Sequence, residues 1–226
     1  MLHPDTIPFL NELSANNNRE WFADNKPRWE AVKKSFTDYT EAVILGLQAI
    51  DPAIGTPRAS RCLYRIYRDV RFSSDKRPYK AHVSFFIPTG GQARTGIPGY
   101  YVQFDPEGGS FMGGGIFMPE PQAVQAIRQE IFYCVEDYLQ IVEDKEFTHW
   151  FGTEMWDFAP LKTAPKGYDK TWPHIRHINH RNWCCMHEVP LDLCRRDDLV
   201  DYTLACFRAA APLNTFLRRA IYELIS

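Results

Sequence analysis

Val83-Ser84-Phe85-Phe86-Ile87 and Tyr100-Tyr101-Val102-Gln103-Phe104 each alternate in hydrophobicity with a period of two, and Phe111 to Phe117 follows close behind. In an extended chain successive side chains leave opposite faces, so Val83, Phe85 and Ile87 share one face, as do Tyr100, Val102 and Phe104. Phe111 to Phe117 is interrupted by Gly113-Gly114-Gly115, glycines that mark a bulge or a close backbone approach. Pro88-Thr89-Gly90-Gly91, Pro98-Gly99 and Asp105-Pro106-Glu107-Gly108-Gly109 separate the runs. Connections this short join antiparallel neighbours. The region is expected to be a meander of four or five strands, with Arg61 to Arg68 and Trp183 to Val189 as further candidates.

On both sides of this region the period changes to that of a helix. Pro8 to Leu13 is a short amphipathic helix, broken by Asn16-Asn17-Asn18. Asn18 can cap a second helix, Arg19 to Asp24, by accepting from the free amides of its first turn. Pro27 suits the start of the next helix, where no amide hydrogen is needed. Trp29, Val32, Phe36, Tyr39, Val43, Leu47 and Ile50 then form one apolar stripe. Beyond the strands, Pro119 and Pro121 open a helix whose stripe is Val124, Ile127, Ile131, Val135, Tyr138 and Val142, and Glu146 to Phe151 continues it. A last helix is expected from about Asp197 to Ala210, interrupted at Pro212 and resuming from Phe216 to Leu224. The whole, residues 1–226, reads as a single α+β domain with long N-terminal, central and C-terminal helices packed on the meander.

Composition narrows the function. A charge of −2 argues against general binding to nucleic acid or a membrane surface. No stretch approaches the ~18 apolar residues of a membrane span. The six cysteines contain no CxxC pair, and the N-terminal residues have neither a basic region nor a long apolar run. Reduced thiols, a cytoplasmic setting and no membrane partner are the expectation.

The charge is unevenly placed. Arg58 to His82 holds eight basic residues against Asp69 and Asp75, a net +6, which leaves −8 for the rest of the chain. Tyr64, Tyr67, Phe72 and Tyr79 are interleaved with Arg65, Arg68, Arg71, Lys76, Arg77 and Lys80. Guanidinium forks and tyrosine hydroxyls are what an anion pocket requires. The competing reading is a solvated ribbon whose cations pair with Asp69, Asp75 and other carboxylates.

Tyr64-Arg65-Ile66-Tyr67-Arg68-Asp69-Val70-Arg71-Phe72-Ser73 with Asp75-Lys76-Arg77-Pro78-Tyr79-Lys80-Ala81-His82 resembles the hallmark of domain of unknown function 2461. Asn17-Asn18-Arg19-Glu20-Trp21-Phe22, Pro98-Gly99-Tyr100-Tyr101, Gly113-Gly114-Gly115 with Met118-Pro119-Glu120, and Pro165-Lys166-Gly167-Tyr168-Asp169 match it in order along the chain. The resemblance implies one domain and a mostly bacterial, cytoplasmic protein, but no settled activity. Trp172 stands where the family often has histidine, so no role of that histidine carries over.

The candidate ligand-binding residues are Arg65, Arg68, Asp69, Arg71, Lys76, Tyr79, Lys80 and Tyr101, with no catalytic residue assigned. Three readings stay open: an enzyme or binding domain for a small phosphorylated or carboxylated ligand, a nucleic-acid-binding module using the same patch, and an interaction domain in which the motif is scaffolding. No cofactor is expected, and oligomeric state is not legible. His174, His177 and His180 recur every third residue with Cys184, Cys185 and His187 close behind, but no spacing fits a zinc module. The triple glycine is neither a dinucleotide fingerprint nor a P-loop.

Overall fold

A computed structural model describes residues 1–90 and 96–225, with the side chain of Ile225 left aside; Gly91 of the first expected turn lies outside the described residues. The alternating runs form β1 (Val83–Pro88), β2 (Gly99–Phe104) and β3 (Phe111–Ile116), and β4 (Trp183–Glu188) completes an antiparallel sheet in the order β1-β2-β3-β4. Register runs unbroken from Val83↔Phe104 to Pro88↔Gly99 and from Phe111↔Glu188 to Ile116↔Trp183. The triple glycine is therefore a close approach and not a bulge. A Cβ on Gly114 would sit 2.9 Å from that of Ala210, and one on Gly113 would sit 1.9 Å from the Cys185 carbonyl oxygen.

The helices are α1 (Thr6–Ala15), α2 (Arg19–Asp24), α3 (Lys26–Leu47), α4 (Ala59–Cys62), α5 (Pro121–Tyr133), α6 (Val135–Val142), α7 (Lys145–Phe151), α8 (Leu199–Ala220) and α9 (Tyr222–Ile225). Asn18 caps α2 as expected, its side chain accepting from the Trp21 amide. α8 lies across β3, and α3 packs on α8 and β1. Phe85 meets Phe36 and Tyr39 at 5.8 and 5.7 Å between ring centres, and Tyr100 meets Phe207 at 4.9 Å. Asn214 fixes the helix to the sheet: its side chain accepts from the Gly115 amide at 2.9 Å and donates to the Gly99 carbonyl at 3.0 Å.

Several boundaries depart from the periodicity. The stripe from Val124 to Val142 is split at Cys134, whose backbone leaves the helical region, yet the Cys134 amide reaches Glu130 and the Tyr138 amide reaches Cys134, so both halves keep one buried face. α8 runs through Pro212 without interruption. A proline inside a helix removes one hydrogen bond, but here Ala210, Ala211, Leu213, Asn214, Phe216 and Leu217 are all buried around it, and their packing outweighs that loss. Around the three histidines only a short 3-10 turn forms, Ile175–Ile178. Arg61 to Arg68 is no regular strand. Its first residues close α4, and the rest pairs with the approach to β1 through single bridges, Leu63↔Phe85 and Tyr67↔Tyr79.

Candidate functional site: a pocket on the outer face of the sheet

The side chains that alternate away from the core decide the site. Lys80, His82, Ser84 and Phe86 follow one another at every second position and line one cavity of about 260 Å³. Tyr64, Tyr101, Phe111, Phe117, Trp156, Cys184 and Met186 complete its walls, and Gly96, Gly99, Gly114 and Gly115 its floor. This is the sheet face opposite α3 and α8. Phe86 lies over Gly99, where a Cβ would fall 2.5 Å from the ring, so the glycine is needed for the aromatic wall to seat. Other hollows, such as the one between α5 and the end of α8, are wider and more open to solvent.

One wall is the ribbon that carries the basic motif. The Tyr64 amide donates to the Ser84 carbonyl, the Lys80 amide to Ile66 and the Arg68 amide to Pro78, so residues 63–68 and 78–85 run antiparallel. Asn17 ties the ribbon to the N-terminal helices, exchanging hydrogen bonds with the Tyr79 amide and carbonyl at 3.0 Å each. The Tyr79 ring stacks on Phe22 at 4.1 Å. At the far end of the ribbon Phe72 is 96% exposed.

The cations of the motif divide into two groups. Arg68 and Arg77 both bind Asp75, Arg71 binds Asp69, and Lys76 donates to the Val70 carbonyl at 3.0 Å. The arginine partners hold the Asp69 and Asp75 carboxyls below the usual carboxylate range. Lys80 stands apart. Among the described residues no carboxylate pairs with it, and its ammonium lies 5.1 Å from the centre of the Tyr64 ring. Its pKa is pulled down, first by burial and then by the positive charge of Arg65. Of the eight residues singled out by sequence, Lys80 and Tyr101 meet in the cavity. Arg68 and Tyr79 line a shallower adjoining hollow together with Lys80 and His82. Asp69 and Arg71 form an exposed pair, and Lys76 and Arg65 are exposed too.

His82 continues the wall. Its Nδ1 is 3.4 Å from Asp105 Oδ2. Burial lowers its pKa, and the Asp105 charge works against that shift. The net effect leaves a neutral imidazole at pH 7, able to accept a proton. Tyr101 donates to Gln103 Oε1 at 2.8 Å, and burial pushes its phenol up to about 12. Cys184 donates to the Ile116 carbonyl, and burial raises its thiol far above the ordinary value, which leaves it unreactive.

The opposite rim is aromatic. Phe117, Trp156 and Phe158 approach one another at 5.8 to 6.1 Å between ring centres, and each is 43% exposed or more. A buried polar network holds them. Asp157, between Trp156 and Phe158, accepts from the amides of Ala159 and Arg181 and from the Asn182 side chain. Asn182 in turn accepts from the Met118 amide at 2.7 Å. Met118 has a positive φ of 49°, a conformation that a side-chain-bearing residue adopts at some cost. The Trp156 amide donates to the Cys184 carbonyl at 2.8 Å, joining the rim to β4.

Sequence reasoning weighed His82 only as an acid or base beside Asp69, and it missed Ser84, Phe86 and the aromatic rim. The period-two spacing of Lys80, His82, Ser84 and Phe86 was the available signal, because it is out of phase with the core positions Val83, Phe85 and Ile87. Among the described residues no group of three His, Cys, Asp or Glu side chains is arranged to hold a metal. His174 and His177 stack, while His180 faces Asp157 at 3.5 Å.

Together these features define an α+β fold whose sheet carries helices on one face and an aromatic, lysine-bearing pocket on the other. The chain belongs to the family described as Conserved hypothetical protein (DUF2461), whose model matches residues 5–216 and so takes in all of the pocket's walls. No curated protein and no solved structure matches it. Among the described residues no helix is long and apolar enough to cross a membrane.

Proposed function

We propose that the protein binds a small anionic ligand in this pocket, with Lys80 as its charge anchor. The observation that carries the reading is the state of Lys80: a partly buried ammonium beside Arg65, with no carboxylate partner among the described residues, on the wall of a cavity. A desolvated, unpaired cation is unfavourable by itself. A carboxylate or phosphate oxygen would relieve both the desolvation and the repulsion from Arg65. His82 and Tyr64 supply further polar contacts from the same wall. The pairing of Arg68, Arg71 and Arg77 with Asp69 and Asp75 takes three of the motif's eight cations away from a phosphate backbone, which favours a small ligand, while Arg58, Arg61, Arg65 and Lys76 remain exposed and are the residues a nucleic acid would use.

Amide and side-chain NMR titrations with acetate and inorganic phosphate test this. Shifts should cluster at Lys80, His82, Ser84 and Tyr101 and disappear in Lys80→Met. Shifts confined to Arg65, Arg71 and Lys76, unchanged by Lys80→Met, would move the anion site to the exposed ribbon and overturn the reading. Steeply salt-dependent binding of oligonucleotides at those same positions would favour the nucleic-acid alternative.

A further inference from the structure

The pocket offers far more than a counter-charge. Tyr64, Phe86, Tyr101, Phe111, Phe117 and Trp156 place six aromatic rings around about 260 Å³. That volume falls just below the ~300–1,000 Å³ typical of ligand pockets, which limits the guest to a small molecule. Aromatic walls can serve a cation or a planar ring. A cationic guest is disfavoured, because Lys80 already brings positive charge and the nearest carboxylate, Asp105, faces His82. Exposed rings are ordinarily scattered; here three stand together at the mouth, held by a buried Asp157–Asn182 network and a strained Met118. A network that keeps apolar rings in water, at a backbone cost, is explained by what the rings will contact.

We infer that the ligand is a planar aromatic acid: a ring or fused pair of rings gripped by the Phe117–Trp156 rim and the Phe86–Tyr101 wall, with its carboxylate on Lys80. This deepens the reading above and rests on it for the charged end. Met118 and Asp157 are then positioning residues for the rim.

Calorimetric titration with four probes separates the two claims: 2-naphthoate, its saturated counterpart decahydro-2-naphthoate, the neutral 2-naphthamide, and inorganic phosphate. 2-Naphthoate should bind about tenfold more tightly than the saturated acid, because only the planar acid makes ring contacts with the rim and the wall. Trp156→Leu and Phe117→Leu keep apolar bulk but remove the ring, so they should erase that preference while leaving the phosphate shift at Lys80 intact. Equal affinity for the planar and saturated acids, both lost in Lys80→Met, overturns the aromatic inference and leaves the anion pocket standing. Equal affinity for naphthoate and naphthamide, indifferent to Lys80→Met, overturns the anion pocket and the acid assigned here. Absence of binding by every probe overturns both. Circular dichroism of each variant guards against unfolding, and Phe86→Leu, on the facing wall of the cavity, serves if a rim variant fails to fold.

Discussion

The two faces of the sheet are built from alternate residues of the same strands and are finished by opposite means. On the helix face, Phe85, Tyr100, Val102 and Phe104 are sealed from water by α3 and α8, and several polar side chains of this layer are paired within it: Tyr39 with Thr203, Tyr100 with Asp51, Asn214 with Gly99 and Gly115. On the outer face, Phe86, Tyr101 and Phe111 are only part-covered, by a ribbon and a loop, and a lysine stands among them with no carboxylate partner among the described residues. Complete burial with satisfied polar groups produces stability. Partial cover with an unpaired charge is the basis of the proposed anion site.

The largest test of this contrast is mutational. Phe85→Ala removes a fully buried ring that touches Phe36 and Tyr39 and should cost ~3–5 kcal/mol in urea melts. Trp156→Ala, at the outer rim, should cost less than ~1 kcal/mol, as substitutions at partly exposed positions usually do. Similar losses at both positions would mean that the rim is core and not a binding surface.

Acid sharpens the contrast next. His177 is buried against Tyr138, and burial lowers its pKa to about 4, with Arg176 adding to the shift. The unfolded chain, with an ordinary histidine pKa of 6.5, takes up the proton first. Stability is therefore complete above pH 6.5 and falls as pH drops toward 4, by about 3 kcal/mol at ~1.4 kcal/mol per unit. Urea melts at pH 7, 5.5 and 4 should show that decline, and His177→Gln should flatten it. An unchanged slope in the variant would assign the acid sensitivity elsewhere.

How much of this was legible in the sequence follows the same division. The helix face announced itself, because a buried face demands a strict period: Val83, Phe85 and Ile87 in the strands, and Trp29 to Leu47 along α3. Where packing overrode local preference, reading failed, as at Pro212, whose helix is held by buried neighbours on both sides. The ribbon motif stood out because its charge density is unusual, and of its cations Lys80 is the one that lines the cavity. It could not tell Lys80 from Arg68 or Arg71, since whether a cation is paired depends on how the ribbon turns Asp69 and Asp75 back onto it. The rim was illegible for a different reason. Phe117, Trp156 and Phe158 are far apart in sequence from Lys80 and look like core residues until the sheet brings them to one edge of the cavity.

The charged group itself gives a smaller and oppositely signed effect. Lys80→Met removes a desolvated ammonium that no carboxylate among the described residues pairs, and puts a flexible apolar chain of similar length among aromatic rings. The melting temperature should rise slightly, by a change worth less than ~1 kcal/mol, while anion binding is lost. A clear drop would show that Lys80 is structural, packed for its aliphatic stem against Tyr64.

Arg71→Ala should give the smallest effect, and it separates the two kinds of cation in the motif. Arg71 and Asp69 form an ion pair at 2.6 Å, but their side chains are 77% and 60% exposed. Such a pair gains little because water competes for both partners and salt screens what remains. Its loss leaves no charge stranded in a dry site, since Asp69 returns to solvent. The melting temperature of Arg71→Ala should match that of the wild type, and phosphate should still shift the resonances of Lys80, His82 and Ser84. The same measurement on Lys80→Met should show the reverse, with an intact or raised melting temperature and no response to phosphate. If Arg71→Ala instead abolishes the response, the motif acts as a unit, the ribbon must release Arg71 from Asp69 when the anion arrives, and the boundary between a paired ribbon and a waiting pocket disappears.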